Sequence, residues 1–183
     1  MSTSPLYLDQ ASHGRPMVIA VEGLDATGKT TLAAALAEVL GAELFTTPPA
    51  ELRGGPRRAI DSVYTDHPLA SQLFYASTLA YVSDRMRETL TGGRHAVVDR
   101  FWLSTLSYDV LRRDALDLDP LVAQLLPCDL TLYLHAPVAV RAQRLAHRGH
   151  ITPADQQSLA ADGLLRESYN GLLTRPACGR VLH

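Results

Sequence analysis

The sequence predicts a three-layer α/β fold, with a central parallel sheet of about five strands, helices on both faces and a small lid. Three observations predict it. Short apolar runs rich in β-branched residues alternate with longer stretches of helical spacing. The first run leads through Gly23-Leu24-Asp25-Ala26-Thr27-Gly28-Lys29-Thr30 directly into an Ala/Leu-rich stretch. The 183 residues, 46% hydrophobic and 20% charged, suit one domain with a sizeable core.

In chain order, residues 1–16 hold no apolar run of signal-peptide length and read as a partly disordered tail, with residues 17–183 as the single domain. Met17 to Val21 is the first buried strand, and Thr31 to Leu40 the first helix. Ala42 to Thr46 is the second strand, closed by Thr47-Pro48-Pro49. Ala50 to Asp66 is rich in Pro, Gly and Arg and reads as a loop or a broken helix. Leu69 to Leu90 has long helical spacing, stopped by Gly92-Gly93. Ala96 to Val98 is a strand that runs into Asp99-Arg100. Leu103 to Leu111 and Leu121 to Leu126 are shorter helices, and Asp129 to His135 is another strand. Pro137 opens a helix that runs to about Arg148. Gly149 to Pro153 is a hinge, Ala154 to Leu173 one helix, and Arg180 to Leu182 a last short strand. The lid covers about residues 144–156.

The glycine loop carries the chemistry. It matches G-x-x-x-x-G-K-[ST], the phosphate-binding loop whose backbone N–H groups wrap a nucleotide's phosphates at a helix N-terminus. Gly23, Asp25, Ala26, Thr27, Gly28, Lys29, Thr30 and Thr31 are the candidate ATP-binding residues, and Thr30 would ligate Mg²⁺. Lys29 is the only lysine, although Lys and Arg together number 17. A chain that otherwise uses arginine keeps lysine where a slim side chain must fold back over the loop. Asp99-Arg100 follows a strand, as the loop does, and ligands of such sheets lie at the carboxyl ends of the strands.

Composition narrows the partners. A net charge of −2 gives no electrostatic case for nucleic acid or a membrane surface, and no apolar run is long enough to span a bilayer. A cytoplasmic location is expected. Cys128 and Cys178 have no redox or ligand spacing and read as buried free thiols. The histidines have no zinc-site spacing. A guanine-reading Asn-Lys-x-Asp motif is excluded, because the only lysine is already in the loop. A small nucleotide or metabolite kinase remains.

Several segments resemble the thymidylate kinase family. They are Val21 to Thr31, Val97 to Tyr108 with its Asp-Arg-Phe core, the aromatic Leu73-Phe74-Tyr75-Ala76, and the arginines Arg141, Arg144 and Arg148 before Gly149. Thr47-Pro48-Pro49 and Asp99 to Thr105 look similar to the UMP-CMP kinase branch of mitochondrial type. The resemblance implies a P-loop kinase fold, ATP and Mg²⁺, a nucleoside monophosphate acceptor and a homodimer. It also implies roles. Lys29 and Thr30 would hold the donor phosphates and metal, and Asp99 would organise the Mg²⁺. Asp25 would meet the acceptor's sugar hydroxyl, and Phe74 would stack on its base. Arg100 would hold its phosphate, and Ser104 and Tyr108 would line its pocket. Ala26 leaves the loop without an arginine of its own. Arg144 or Arg148 would then supply the transition-state charge, Arg148 by its place at the hinge. Read without the resemblance, the three lid arginines could equally form a solvated face.

Two departures bear on the acceptor. Where the family carries an Arg-Glu-Pro-like segment, this chain has Thr46-Thr47-Pro48-Pro49. Arg53, Arg57 or Arg58 could replace that arginine, with Arg57 favoured. Where the family has a base-reading arginine, the ungapped match places Thr78. The expected function is therefore transfer of the ATP γ-phosphate to a pyrimidine (deoxy)nucleoside monophosphate such as dTMP, dUMP, dCMP or CMP. The alternatives are a kinase for a specialised or modified nucleotide and a nucleotide-binding protein without turnover.

Overall fold

Val18–Gly23 forms β1, and every one of its residues is buried. A strand with no polar face belongs in the middle of a sheet covered on both sides. It pairs in parallel with β3 (Ala96–Asp99) on one edge and β4 (Leu130–Leu134) on the other. β2 (Glu43–Thr46) lies outside β3, and β5 (Arg180–Leu182) outside β4. The order is β2-β3-β1-β4-β5, all parallel, which is the five-stranded sheet expected. This computed structural model describes residues 14–112, 115–149 and 151–183. Most of the expected tail, and His150 in the hinge, lie outside the described residues.

Alternate residues of β1 face opposite layers, as the two-residue strand period requires. Ile19 and Val21 pack with Val97 against Ala33 and Ala37 of α1 (Lys29–Leu40). Val18 and Ala20 pack with Val98 against the larger layer on the other face. That layer holds α3 (Pro68–Thr91), α4 (Trp102–Asp109) and the C-terminal helix, with Leu79, Met86, Trp102 and Tyr169 as its bulk. Helices on both faces complete the three layers. Residues 50–66 are indeed broken. They form a 3₁₀ turn at Ala50–Leu52 and then α2 (Gly55–Val63). The short helix expected over 121–126 is α5 (Asp119–Val122). Cys128 and Cys178 are buried free thiols. Among the described residues, no helix is long and apolar enough to cross a membrane.

The region after α6 (Val138–His147) corrects one expectation. The single helix over 154–173 is two, α7 (Pro153–Ala160) and α8 (Asp162–Leu172), separated at Ala161. Asp162 and Gly163 are weak helix formers, and the break turns Asp162 toward α6, where it pairs with Arg141. Thr152 and Asp155 form a capping box that starts α7 at Pro153, the last residue of the expected hinge, whose first residue, Gly149, has φ 76°.

Register places the site. Val21 of β1 lies beside Asp99 of β3, so the glycine loop and Asp99-Arg100 leave the sheet at adjacent points of one edge.

Candidate active site

The loop's backbone is special where the chain turns off β1. Gly23 has φ 138°, and a Cβ there would stand 2.2 Å from the Leu134 carbonyl oxygen, so only glycine fits. Ala26 (φ 61°) and Gly28 (φ 105°) continue the left-handed path. Helix α1 begins at Lys29, earlier than its apolar pattern suggests, and its N-terminal N–H groups therefore open on the loop. Lys29 folds back over it. Its Nζ donates to the Leu24 carbonyl and lies 3.4 Å from Thr27 Oγ1. The residue is only 4% exposed. Burial, and then the positive charge of Arg100, lower the ammonium's pKa to about 7.

Thr30 and Asp99, 69 residues apart in sequence, meet beside the lysine. Thr30 Oγ1 donates to Asp99 Oδ2 at 2.6 Å. Asp99 is buried, and its Oδ1 has no hydrogen-bond partner among the described residues. An unpartnered buried carboxylate oxygen next to a loop hydroxyl fits Mg²⁺, which takes one or two protein oxygens and completes its shell with phosphates and water. Arg53 Nη2 is 3.6 Å from the other Asp99 oxygen.

Asp25 is the centre of a second cluster. Its Oδ1 accepts from Arg100 Nη2 and its Oδ2 from Tyr108 at 2.6 Å. Burial works to raise its pKa, but Arg100 and Lys29 outweigh that and hold the carboxyl well below the usual range. Arg100 itself has φ 67°, a conformation rarely adopted by a residue with a side chain. It is fixed there by its N–H on the Val21 carbonyl at 3.1 Å and by Thr47 Oγ1, which donates to its carbonyl at 2.8 Å. Thr47 belongs to the segment that departs from the family, and it serves to aim Arg100 at the loop.

Glu22 is the residue the sequence reading missed. It is completely buried in β1, and burial raises its pKa. Its carboxylate accepts from the Phe101 N–H at 2.7 Å, the Ser104 N–H at 3.3 Å and the Ser104 hydroxyl at 2.5 Å. It thereby caps α4, which has no side-chain cap of its own. An acid inside an otherwise apolar strand was the available signal, since an unpaired buried carboxylate is costly. Ser104 is thus bonded to Glu22 and, at 2.9 Å, to Tyr169. Its hydroxyl is held within the core, whereas it was expected to line the acceptor pocket.

The other expected residues divide. Thr78 is buried, bonds back to the Tyr75 carbonyl, and borders a cavity of about 300 Å³ with Pro49, Leu52 and Tyr81. Phe74 lies edge-on to Tyr75, ring centroids 5.2 Å apart. Arg57 is turned away from Asp99: it bonds Asp61 and stacks over the Tyr75 ring at 4.7 Å. Among the three arginines proposed to replace the missing one, Arg53 is beside Asp99.

The three arginines expected of a lid do not form one solvated face. Arg141 is fully buried. Arg144 Nη1 donates to the Ala26 carbonyl at 3.0 Å and the Thr27 carbonyl at 3.2 Å, resting on the loop itself. Arg148 pairs with Asp155 of the α7 cap at 2.6 Å. Between the loop, α1 and α6 is an open cavity of about 750 Å³, bordered by Gly28, Thr31, Leu134, Arg144 and Arg148. It has the size and position of a nucleotide site.

The family model described as Thymidylate kinase matches residues 21–176. A probable thymidylate kinase of Methanospirillum hungatei is 32% identical over 155 residues, 78% of this chain and 74% of that protein. One of Archaeoglobus fulgidus is 27% identical over 146 residues, covering 76% and 74%. Among solved structures, thymidylate kinase from Candida albicans superposes with TM-score 0.67 at 19% identity, over 92% of this chain and 83% of that one. Deoxyadenosine kinase from M. mycoides with bound dATP superposes with TM-score 0.66 at 16% identity, over 91% and 90%. The matched span runs from the end of β1 through the loop, Asp99-Arg100 and the lid arginines, and on it the chain belongs to the thymidylate kinase family.

Proposed function

We propose that this ATP-dependent nucleotide kinase transfers the γ-phosphoryl group of ATP to a pyrimidine (deoxy)nucleoside monophosphate, with dTMP, the acceptor for which its probable thymidylate kinase relatives are named, the first to try. The observation that carries the reading is the adjacency of two differently equipped clusters at one sheet edge. Lys29, Thr30 and Asp99 form the first; Asp25, Arg100 and Tyr108 form the second. Phosphoryl transfer needs two polyanions brought together and the charge on the moving group neutralised. Lys29 and the loop N–H groups would hold the donor phosphates. Thr30 and Asp99 would hold Mg²⁺, which supplies further charge neutralisation when bound. Arg100, with Arg53, would take the acceptor phosphate. Asp25 would receive a sugar hydroxyl, Phe74 and Thr78 would face the base, and Arg144 would bear on the transferring group. Arg148 would close the lid through α7.

A second reading, a modified pyrimidine as acceptor, is favoured by Thr78. A short hydroxyl beside a cavity of about 300 Å³ stands where the family has a base-reading arginine. ADP release measured with dTMP, dUMP, dCMP, UMP and CMP decides between them. Turnover concentrated on one ordinary monophosphate supports the first reading and removes the second; comparable weak turnover with all five supports the second; none above blank defeats the first. Thr78→Arg should raise the preference for dTMP. The homodimer that the resemblance implies is checked by light scattering.

A further inference from the structure

Arg141 is the least expected member of the lid. It is 0% exposed, and burying a guanidinium costs several kcal/mol unless its donors are met. They are met from three separate places. Nε donates to the Asp25 carbonyl at 2.7 Å, Nη1 pairs with Asp162 at the start of α8, and Nη2 donates to Ser158 Oγ of α7 at 3.0 Å.

Ser158, itself fully buried, is shared. Its Oγ also lies 3.0 Å from the Tyr108 hydroxyl, which donates to Asp25 Oδ2. The proton directions are consistent throughout. Arg141 has only donors, so Ser158 accepts from it. The Tyr108 proton is committed to Asp25, so Ser158 donates its own to Tyr108. Asp25 is therefore gripped twice from the lid side, at its backbone by Arg141 and at its side chain through Ser158 and Tyr108.

We infer that Arg141 and Ser158 are positioning residues that couple α7 of the lid to Asp25, so that acceptor binding and lid docking stabilise one another. This rests on the kinase reading, in which Asp25 faces the acceptor. A purely structural ion pair would instead cost stability and leave donor and acceptor affinities equally unaffected.

The test uses calorimetric titration of the full chain with dTMP and, separately, with a non-hydrolysable ATP analogue. The proteins are wild type, Ser158→Ala, Tyr108→Phe, the double variant and Arg141→Lys. Ser158→Ala deletes one hydroxyl and should fold. It is expected to weaken dTMP by about threefold to tenfold, the range of one lost hydrogen bond, and the ATP analogue by less than about twofold. The double variant should be no weaker for dTMP than Tyr108→Phe alone, because both act on one oxygen of Asp25. Unchanged dTMP affinity in Ser158→Ala, or losses that multiply in the double variant, would overturn the coupling. If wild type binds no monophosphate, the kinase reading fails. The coupling is then judged by hydrogen exchange. Tyr108→Phe and Arg141→Lys should speed exchange in Pro153–Ala160 and not in β1, and unchanged α7 exchange would overturn it.

Discussion

Arg53 Nη2 stands 3.6 Å from Asp99 Oδ2, while Arg57, in the first turn of α2, is bound to Asp61 and Tyr75. On the proposed function the first would lie near the reacting phosphates, whereas the second braces α2 against α3. Arg53→Ala is therefore expected to raise the acceptor KM by about tenfold, the effect of losing a charged hydrogen bond. Arg57→Ala should leave KM within about twofold and cost less than about 1 kcal/mol of stability, since its ion pair is half exposed. Steady-state kinetics on both variants checks this; a larger KM effect at Arg57 would reverse the assignment.

Lys29→Arg keeps the charge but not the shape. The Lys29 side chain fills a buried path between Leu24 and Thr27, and a planar guanidinium does not follow it. Activity should fall by about a hundredfold or more, with the thermal midpoint little changed. Near-normal turnover would refute the steric argument.

The Lys29 amine also makes donor binding pH-dependent. Its pKa, lowered to about 7 by burial, should rise when phosphates arrive, so nucleotide binding takes up protons above neutral pH. Calorimetry in two buffers of different ionisation enthalpy should show that uptake, and donor affinity should weaken as pH rises through 8. The sign for stability is opposite. Between about pH 7 and the ordinary lysine value of 10.5, the unfolded chain holds more protons than the folded one, so this residue's burial penalty shrinks as pH rises. Proton release on binding would contradict the assignment.

Glu22→Ala should destabilise the chain by about 3 kcal/mol, because it strands the Phe101 and Ser104 donors at the start of α4. Glu22→Gln keeps an acceptor and should lose about half as much. Urea denaturation measures both. Equal stability of wild type and Glu22→Ala would mean that α4 is capped some other way.

Arg144→Ala should lower kcat by about a hundredfold with a smaller change in the donor KM, because its guanidinium already lies on the loop carbonyls. Single-turnover kinetics separates that from a product-release effect. A loss confined to KM would assign Arg144 to ground-state binding.

What could be read in advance follows from locality. The loop, its helix and the Asp99-Arg100 corner are written in contiguous residues whose types have one physical use, and the strand ends bring them together. Thr30 and Asp99 meet as expected for that reason. Glu22, Ser104 and Arg141 could not be read the same way. Their roles depend on partners 82, 65 and 116 residues away, supplied by elements whose relative angle spacing does not encode. Arg141 and Arg144 are alike in sequence and neighbours on one helix. Both reach loop carbonyls, but Arg141 is fully buried and also pairs with Asp162, which the break between α7 and α8 brings to it, whereas Arg144 lies over the outside of the loop. Arg53 and Arg57 are likewise separated by the break between the 3₁₀ turn and α2, where Arg53 is extended and Gly54 has φ 66°, and residue type alone does not locate that break.

A single lysine has a practical side. Acylating and aldehyde reagents attack the neutral amine, and the Lys29 amine is substantially neutral at pH 7 to 8 while shielded from bulk reagent. A nucleotide carrying an electrophile on its terminal phosphate would meet one side-chain amine in the whole chain, and because bound phosphates raise that amine's pKa, labelling should speed up as the pH is taken above 8. On the proposed function, such labelling would tag the nucleotide pocket and let its occupancy be counted by mass without engineering any residue.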